Sequence, residues 1–469
     1  MVQLNNTFEQ LKVSEGGPAV QQKPSRPVKA TLRTRQPLDS EESDLQPDSN
    51  AADSSTSSSA QLLALLSRLF APLRRSPNFS ATLQHVKGLL YDQQYLAAFG
   101  TESEEGERWR EVYAARWVPS RAVIYQRIFD ECDIAQHLGW QTPSGETNGG
   151  GGGERPRSEE EELEQERERA KLRRRLRQEG KSADEISQAV AELEQQFRAA
   201  RSSKADSKGE GAAAVVDAIM IGAGAGSEVV ALGAVLGVAA AGRASSGDAD
   251  PTLAAAEYRP PPRVRVHAVD QGSWDVLLDK MAQGLRDAWP TLDSEHVEED
   301  GGDQQQPRFD VRFVKGNILD NKMITTAAGS SSPVIDFGSS SLRLITICFT
   351  ITELLLQSRL ETLRLLSTIS RSAPSGTLFL IVESASLAQI PIGQEGRTYP
   401  LGRLLDHALC GGGDKGGGGG GGVWEILKSE DAKWYRMPND ADEVYNAMGK
   451  GTKVKLENSR VVLRLYRKR

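Results

Sequence analysis

The chain has 469 residues, of which 38% are hydrophobic and 6% aromatic, and its 57 Lys and Arg against 64 Asp and Glu give a net charge of −7. The hydrophobic fraction is below the roughly 45–50% of a typical globular domain, which excludes one core built from the whole chain. The three cysteines, Cys132, Cys348 and Cys410, exclude a disulfide framework and a CxxC metal site, and they are typical of an intracellular protein.

Residues 1–58 mix Ser, Asp, Glu, Pro and Gln with few large apolar residues. Such a segment cannot bury enough surface to offset its ordering entropy, so we predict a disordered tail. A basic cluster in this tail contains no acidic residue and is a candidate nuclear address, although a solvated run of charge explains it equally well. The cluster comprises Lys23, Arg26, Lys29, Arg33 and Arg35.

Residues 59–140 carry apolar side chains at helical intervals, which predicts a helical module. One such set lies at 62–70 and another at 83–95, so two amphipathic helices should follow each other. A third helix is predicted to begin at Pro119 and Ser120, with the serine as its cap.

Residues 141–212 form a low-complexity charged insertion, in which a Gly run precedes the segment EEEELEQERERAKLRRRLRQEG. Glu and Arg four residues apart predict a solvent-exposed helix. A partner-binding coiled coil is the alternative, because apolar residues follow at heptad-like spacing. These are Ile186, Val190, Leu193 and Phe197, and we assign the insertion no catalytic role.

Residues 213–469 alternate strand-like and helix-like segments, the pattern of an α/β domain with a mostly parallel sheet. An apolar stretch at 212–241 is interrupted by Asp217 and Glu228, so it is predicted to be a core element and not a membrane span. The predicted strands are 215–221, 264–269, 310–314, 343–349, 377–383 and 460–466, and the predicted helices are 227–241, 273–288, 352–370 and 400–410.

The most specific local pattern is VVDAIMIGAGAGSEVVALG, in which a strand ends at Gly222, Gly224 and Gly226 and a helix begins near Ser227. Glycines allow a sharp turn and the close approach of a ligand to the helix N-terminus, where free N–H groups attract negative charge. A nucleotide-like cofactor is therefore expected, although a Gly-rich turn can also serve packing alone.

The kind of cofactor follows from the residues around this turn. The pattern is GxGxG, with Ser227 where the dinucleotide fingerprint has its third glycine, so a pyrophosphate site is disfavoured. Asp270 ends the second strand and could accept hydrogen bonds from ribose hydroxyls, with Asn317 and Asp320 near the same sheet edge. We expect S-adenosylmethionine in preference to NAD.

Other chemistries have weaker support. The five histidines show no HxxxH or HxH spacing, and there is no GxSxG elbow or Walker lysine, so we expect no metal and no nucleophile mechanism.

Several segments occur together in this order: LLYDQQYLAAFG at 89–100, YAARWVPSRAVIY at 113–125, the glycine turn, LITICFTITELL at 344–355 and WYRMP at 434–438. The combination resembles the fungal large-subunit (25S) ribosomal RNA uridine-N3 methyltransferases, a class I S-adenosylmethionine-dependent family. The resemblance covers about 60–138 and 213–469. It implies a Rossmann-like seven-stranded methyltransferase sheet with a helical N-terminal module, 25S rRNA or a preribosomal particle as partner, and no membrane.

The resemblance also implies roles for individual residues. Gly222, Gly224 and Gly226 would hold the methionine end of the cofactor and Asp270 its ribose, while Asn317 and Ile318 would lie beside the adenine. It implies a location in the nucleus or nucleolus, with the cytoplasm as a further compartment.

Uridine N3 carries a proton and lies on the pairing edge, so the base must be unpaired or flipped and then deprotonated. Glu353, with Thr350 beside it, is the predicted catalytic group, and a helix-capping role is the alternative for the glutamate. Basic and aromatic residues outside the acidic segments are the predicted RNA contacts, although core packing is the alternative for each aromatic one. These are Arg116, Trp117, Arg121, Trp434 and Tyr435.

Two other functions remain open from the sequence. One is a non-catalytic ribosome-assembly factor that binds rRNA, in which the cofactor site no longer operates. The other is a methyltransferase that acts on a protein or a small molecule.

Overall fold

A computed structural model describes residues 49–92, 94–140, 214–245, 261–293, 307–324, 335–392, 397–411 and 422–469, together with Lys171 and Arg174. The prediction of a disordered tail lies outside the described residues up to 48, whereas residues 49–58, also assigned to the tail, are helical and belong to the helix Ser49–Arg74. The predictions for the charged insertion lie outside the described residues apart from Lys171 and Arg174. Among the described residues, those of 49–140, those of 215–245 and those from 262 onward belong to one compact unit, in which the features below lie.

The N-terminal part of this unit is helical. Its helices are α1 (Ser49–Arg74), α2 (Phe79–Tyr91), α3 (Tyr95–Phe99), α4 (Glu104–Glu131) and α5 (Ile134–His137). Buried leucines of α1 and the apolar side of α4 pack in one hydrophobic core with residues from one face of the sheet described below. The helical module is therefore packed against the sheet.

The predicted start of a helix at Pro119 and Ser120 is wrong. Helix α4 begins fifteen residues earlier at Glu104, where the Ser103 hydroxyl accepts a hydrogen bond from the Gly106 N–H at 3.1 Å. Pro119 lies inside the helix and has no N–H for the carbonyl of Ala115. The Tyr445 hydroxyl donates to that carbonyl at 2.6 Å, so a tertiary hydrogen bond replaces the missing helical one.

The sheet has seven strands in the order β3-β2-β1-β4-β5-β9-β8. They are β1 (Val215–Ile221), β2 (Arg263–Asp270), β3 (Phe309–Lys315), β4 (Leu342–Cys348), β5 (Leu378–Ser384), β8 (Trp424–Tyr435) and β9 (Ser459–Lys468). Strands β1 to β5 are parallel, and β9 runs antiparallel between β5 and β8. This confirms the predicted Rossmann-like seven-stranded α/β fold.

Six of these strands agree with the sequence prediction within two residues at each end, and β8 was not predicted. Strand β8 lies at the sheet edge, and its pairing with β9 has two register shifts. Its buried and exposed residues do not alternate regularly, so its sequence lacks the alternation of apolar and polar residues by which a strand is recognised. A separate hairpin, β6 (Gln389–Ile392) with β7 (Arg397–Pro400), was also not predicted.

The remaining helices cover both faces of the sheet. They are α6 (Ser227–Ser245), α7 (Asp275–Ala288), α8 (Ile351–Gln357), α9 (Arg359–Ser372), α10 (Leu401–Cys410) and α11 (Ala441–Asn446), and short 3₁₀ turns lie at Pro290–Leu292 and Asn321–Met323. The helix predicted at 352–370 is divided at Ser358, whose hydroxyl caps α9 by accepting from the Glu361 N–H. Helices α6 and α7 share the first core with the helical module, and α8, α9 and α10 pack in a second core.

Two further observations concern the described residues alone. None of their helices has the length and apolar character required to cross a bilayer. They also contain no group of three or more His, Cys, Asp or Glu side chains arranged to hold a metal ion.

Candidate active site

The glycine turn joins β1 to α6 at the carboxyl edge of the sheet. Gly222 and Gly226 have φ angles of 75° and 80°, which residues with a side chain rarely adopt. A Cβ at position 222 would collide with Thr350, and one at 226 would lie 2.6 Å from the Met281 Sδ. The turn is thus fixed by its backbone and by close packing on both sides.

Asp270 ends β2 and faces this turn. Its Oδ2 accepts from the Gly224 N–H at 3.1 Å, and its Oδ1 accepts from the Gly272 N–H at 2.8 Å and the Trp274 indole N–H at 3.0 Å. A carboxylate oxygen has about two acceptor positions, so Oδ2 retains one after these bonds. The Trp274 ring covers the turn closely, because a Cβ at Gly224 would collide with it.

The end of β3 meets the end of β2 at the same edge. The Gly316 N–H donates to the backbone carbonyl of Asp270 at 2.8 Å. Asn317 follows, and its Oδ1 accepts from the Leu319 N–H at 3.0 Å, while the Ile318 side chain is 4% exposed. The structure therefore brings together, beside the glycine turn, the residues that were predicted to bind the ribose (Asp270) and the adenine (Asn317 and Ile318) of the cofactor.

Glu228, in the first turn of α6, is a buried acid that the sequence did not assign to the site. The side chain is 3% exposed, and its Oε1 has no hydrogen-bond partner within the described part of the chain. The buried Cys348 thiol hydrogen-bonds to this carboxyl group. Burial raises the pKa of Glu228 to about 8, against an ordinary value of 4.5.

Arg121 reaches the same place from α4. Its guanidinium carbon lies 5.3 Å from the centre of the Phe349 ring, immediately after β4, and its Nη1 donates to the Tyr113 hydroxyl at 2.7 Å. Arg121 also interacts electrostatically with Glu228, Glu353 and Glu383. One cation of the helical module is thus placed among three carboxyl groups of the sheet domain.

Glu353 lies in the first turn of α8 and is partly buried. Burial, reinforced by the negative charges of Asp270 and Glu383, raises the pKa of Glu353 to about 7. The side chain hydrogen-bonds to Tyr95, whose ring is 39% exposed. The carboxyl group of Glu353 therefore has a pKa close to neutral pH and lies beside a tyrosine that is partly exposed to solvent.

Two neighbours of Glu353 are fixed by hydrogen bonds. The carboxylate of Glu383 accepts from the Thr352 N–H at 3.1 Å and so caps α8. Capping at this turn is thus performed by Glu383. Thr350 donates to the Cys348 carbonyl at 3.1 Å and contacts the glycine turn.

The predicted RNA contacts are distributed over two regions. Arg121 and Trp117 lie near Tyr113, with the Trp117 ring 4.6 Å from that of Tyr113. Arg116 forms an ion pair with Glu457. On β8, Trp434 is 58% exposed, whereas Tyr435 is 3% exposed and donates to Glu131 at 3.0 Å; these two residues are not part of the cluster around Asp270.

The site also contains residues that the sequence prediction missed, namely Tyr95, Glu228, Trp274 and Glu383. A signal existed for Glu228, which is a charge in an apolar helix directly after the glycine turn. Trp274 had a weaker signal, four residues after Asp270. Glu383 and Tyr95 had none, because only tertiary packing brings them to Glu353.

The raised pKa of Glu228 makes folding stability depend on pH. The folded chain retains this proton up to a pKa of about 8, whereas the unfolded chain releases it near 4.5. The folded state therefore binds more protons within this window, and the free energy of unfolding decreases as the pH rises. We expect this group alone to remove about 2 kcal/mol between about pH 6 and pH 8.

Urea denaturation of wild type and Glu228→Gln at several pH values, without cofactor, measures this contribution. Glutamine keeps the shape of the side chain but does not titrate, so the variant should lack this part of the pH dependence. Cys348, Asp270 and Arg121, which face Glu228, contribute to both proteins. Glu361→Gln in α9 is the matched control, and parallel curves for wild type and Glu228→Gln would contradict the expectation.

Comparison with known proteins identifies related sequences. The profile of a family described as "Putative SAM-dependent methyltransferase" matches residues 66–467. A Saccharomyces cerevisiae protein named 25S rRNA (uridine(2843)-N(3))-methyltransferase is 27% identical over 255 residues, which are 53% of this chain and 59% of the relative. The chain thus spans about three fifths (59%) of the length of that curated relative.

Two solved structures illustrate the structural comparison. A DUF574 family protein from Streptomyces avermitilis has a TM-score of 0.26 and 10% identity, covering 54% of this chain and 75% of its own. The glycopeptide N-methyltransferase complexed with S-adenosylmethionine has a TM-score of 0.21 and 11% identity, covering 57% and 92%. The strand order of the sheet, described above, carries the fold assignment.

Proposed function

Because the chain belongs to the SAM-dependent methyltransferase family that matches it over residues 66–467, we propose that its substrate is N3 of a uridine in large-subunit ribosomal RNA. Its cofactor is S-adenosylmethionine, which supplies a methyl group on a cationic sulfur. The support for the substrate is the likeness to the yeast 25S rRNA uridine-N3 methyltransferase together with the site around Glu353.

The residues of the site fit this cofactor. Asp270 keeps an acceptor position on Oδ2 for a ribose hydroxyl. The buried Oε1 of Glu228 without a partner in the described residues suits a positively charged ligand. In this proposal the backbone of Gly222, Gly224 and Gly226 holds the methionine end of the cofactor, and Asp270 orients the sugar.

The observation that carries the substrate proposal is the carboxyl group of Glu353, in the first turn of the helix that follows β4, with a pKa of about 7. Methylation at N3 of uracil forms a nitrogen–carbon bond and releases the N3 proton. A general base is most effective when its pKa is near the working pH, and Glu353 meets this condition. Glu353 accepts that proton, while the hydrogen bond from Tyr95 holds its carboxylate in place.

The rRNA chain needs basic and aromatic surface outside the acidic segments. We propose Arg116 for phosphate contact, and Trp117 and Trp434 for stacking on RNA bases. Tyr435, which the sequence also predicted for this role, is 3% exposed and hydrogen-bonded to Glu131, so it does not stack on a base. A location in the nucleus or nucleolus is consistent with this substrate and with the basic cluster of residues 23–35.

Mass spectrometry of rRNA nucleosides tests the proposal directly. Cells that lack the protein should lose one N3-methyluridine from the large-subunit rRNA, and the wild-type gene should restore it. Purified protein should transfer radiolabelled methyl to deproteinised rRNA. Radiolabel that appears only on proteins or small molecules would identify another substrate. If the protein does not detectably bind S-adenosylhomocysteine, the result would favour a non-catalytic ribosome-assembly factor.

A further inference from the structure

The glycine turn is the predicted holder of the methionine end of the cofactor, but it offers only backbone groups there. The adenosine is assigned to Asp270 and the end of β3. The amino acid end carries a carboxylate and an ammonium group, both of which are strongly hydrated in water. Binding this end therefore requires one group that donates hydrogen bonds to the carboxylate and one that accepts them from the ammonium group.

Two ionisable side chains, Glu228 and Arg121, lie near the glycine turn. Glu228 is in the first turn of the helix that follows it, is 3% exposed and leaves Oε1 without a partner among the described residues. Leaving a buried polar atom unpaired costs stability, so its retention points to a ligand that pairs with it. A carboxylate oxygen accepts hydrogen bonds, and an ammonium group donates them.

The positive group comes from the helical module. The guanidinium carbon of Arg121 lies 5.3 Å from the centre of the Phe349 ring, and its Nη1 donates to the Tyr113 hydroxyl at 2.7 Å. A guanidinium has five N–H donors, and the hydrogen bond to Tyr113 uses one of those of Arg121. Its remaining planar donors match a carboxylate, which accepts two parallel hydrogen bonds.

We propose that Arg121 and Glu228 together bind the amino acid end of S-adenosylmethionine. The Arg121 guanidinium pairs with the cofactor carboxylate, and Glu228 accepts hydrogen bonds from its ammonium group. The helical module thus supplies one side of the cofactor site. This inference rests on the cofactor of the family and is independent of the proposed uridine substrate.

A phosphate contact for Arg121, as the sequence suggested, is less compatible with its surroundings. Glu228, Glu353 and Glu383 interact electrostatically with this guanidinium and, when ionised, would repel a polyanion. Arg116, by contrast, is paired with the largely exposed Glu457. The surroundings of Arg121 suit a small zwitterion, in which an ammonium group offsets the local negative charge.

Calorimetric titration with two ligands tests the proposal without any RNA. S-Adenosylhomocysteine contains the amino acid end, and 5′-methylthioadenosine has the same adenosine and sulfur but lacks it. In Arg121→Ala we expect the affinity for S-adenosylhomocysteine to fall by about 30- to 100-fold, as for the loss of a charged hydrogen-bond pair. The affinity for 5′-methylthioadenosine should change by less than about 3-fold.

Three further variants make the result specific. Arg121→Lys keeps the charge but not the planar fork, so an intermediate loss is expected. Glu228→Gln should weaken S-adenosylhomocysteine by about 10-fold and leave 5′-methylthioadenosine unchanged. Arg127→Ala, six residues along the same helix, where the side chain donates to the Arg436 carbonyl, is the control with both affinities retained.

Two outcomes would overturn the assignment. Equal weakening of both ligands in Arg121→Ala and Arg121→Lys would give Arg121 a purely structural role. Unchanged affinity for S-adenosylhomocysteine, together with weaker binding of an rRNA fragment, would return Arg121 to the RNA surface. Neither result would bear on whether the methyl group goes to uridine N3.

Discussion

Replacing Glu353 with Gln should lower the rate of methyl transfer to rRNA by about 10²- to 10⁴-fold, the range expected when a general base is removed. Glutamine has nearly the same size and can still hydrogen-bond to Tyr95, but it cannot accept the proton from N3. The affinity for S-adenosylhomocysteine should remain within about 3-fold, because Glu353 is proposed to act on the substrate base and not on the cofactor. Single-turnover kinetics and calorimetry measure the two quantities.

The pH profile distinguishes proton acceptance from a loss of shape. Burial raises the pKa of Glu353 to about 7, so the wild-type rate should fall as the pH decreases below that value and the carboxylate becomes protonated. Glu353→Gln should lack this acidic limb, while Glu361→Gln in α9 should keep both the rate and the limb. Methyl transfer at the wild-type rate in Glu353→Gln would remove this residue from the mechanism.

Replacing Asp270 with Asn should weaken S-adenosylhomocysteine by about 100-fold, equal to about 2.7 kcal/mol. One oxygen becomes an NH2 group, which cannot accept from the Gly224 N–H or from a ribose hydroxyl. Both the turn and the sugar contact are affected, so the loss exceeds that of one neutral hydrogen bond. Calorimetric titration gives the affinity, and a thermal melt shows whether the variant is folded.

Asp310→Asn is the matched control on the neighbouring strand. Its carboxylate pairs with Arg263 at 3.0 Å and Arg312 at 3.1 Å, and it does not contact the glycine turn. This variant should bind S-adenosylhomocysteine as wild type does. If Asp270→Asn and Asp310→Asn both bind with wild-type affinity, Asp270 does not orient the sugar of the cofactor.

The parts of the fold that depend on local pattern could be predicted from the sequence. The six predicted strands contain short apolar runs with β-branched residues, and Asp270 and Asn317 were located by their position at strand ends on one sheet edge. Strand β8 could not be predicted in this way, since its edge position and register shifts remove the alternation. The start of α4 was misread because the residue that compensates for Pro119 is Tyr445, which is remote in the sequence.

In the candidate site, too, the residues within recognisable local patterns could be predicted, and those brought there by tertiary packing could not. The glycine turn and Asp270 are contiguous with recognisable elements, whereas Arg121 enters the site through the packing of α4 against the sheet. Arginines at 116, 121 and 127 look equivalent in the sequence, and only the structure separates them by their partners. Burial of Glu228 likewise depends on residues from β4 and α4.

The hydrogen bond from Tyr445 to Ala115 also bears on how the protein can be divided for study. Arg74 of α1 adds to this connection, because it donates to the Tyr445 carbonyl and to Asn446, both at 2.9 Å. An excised fragment that starts at β1 would leave the hydroxyl of Tyr445 without its acceptor and would expose the apolar surface now covered by α4. Recombinant work should therefore keep the helices and the sheet on one polypeptide.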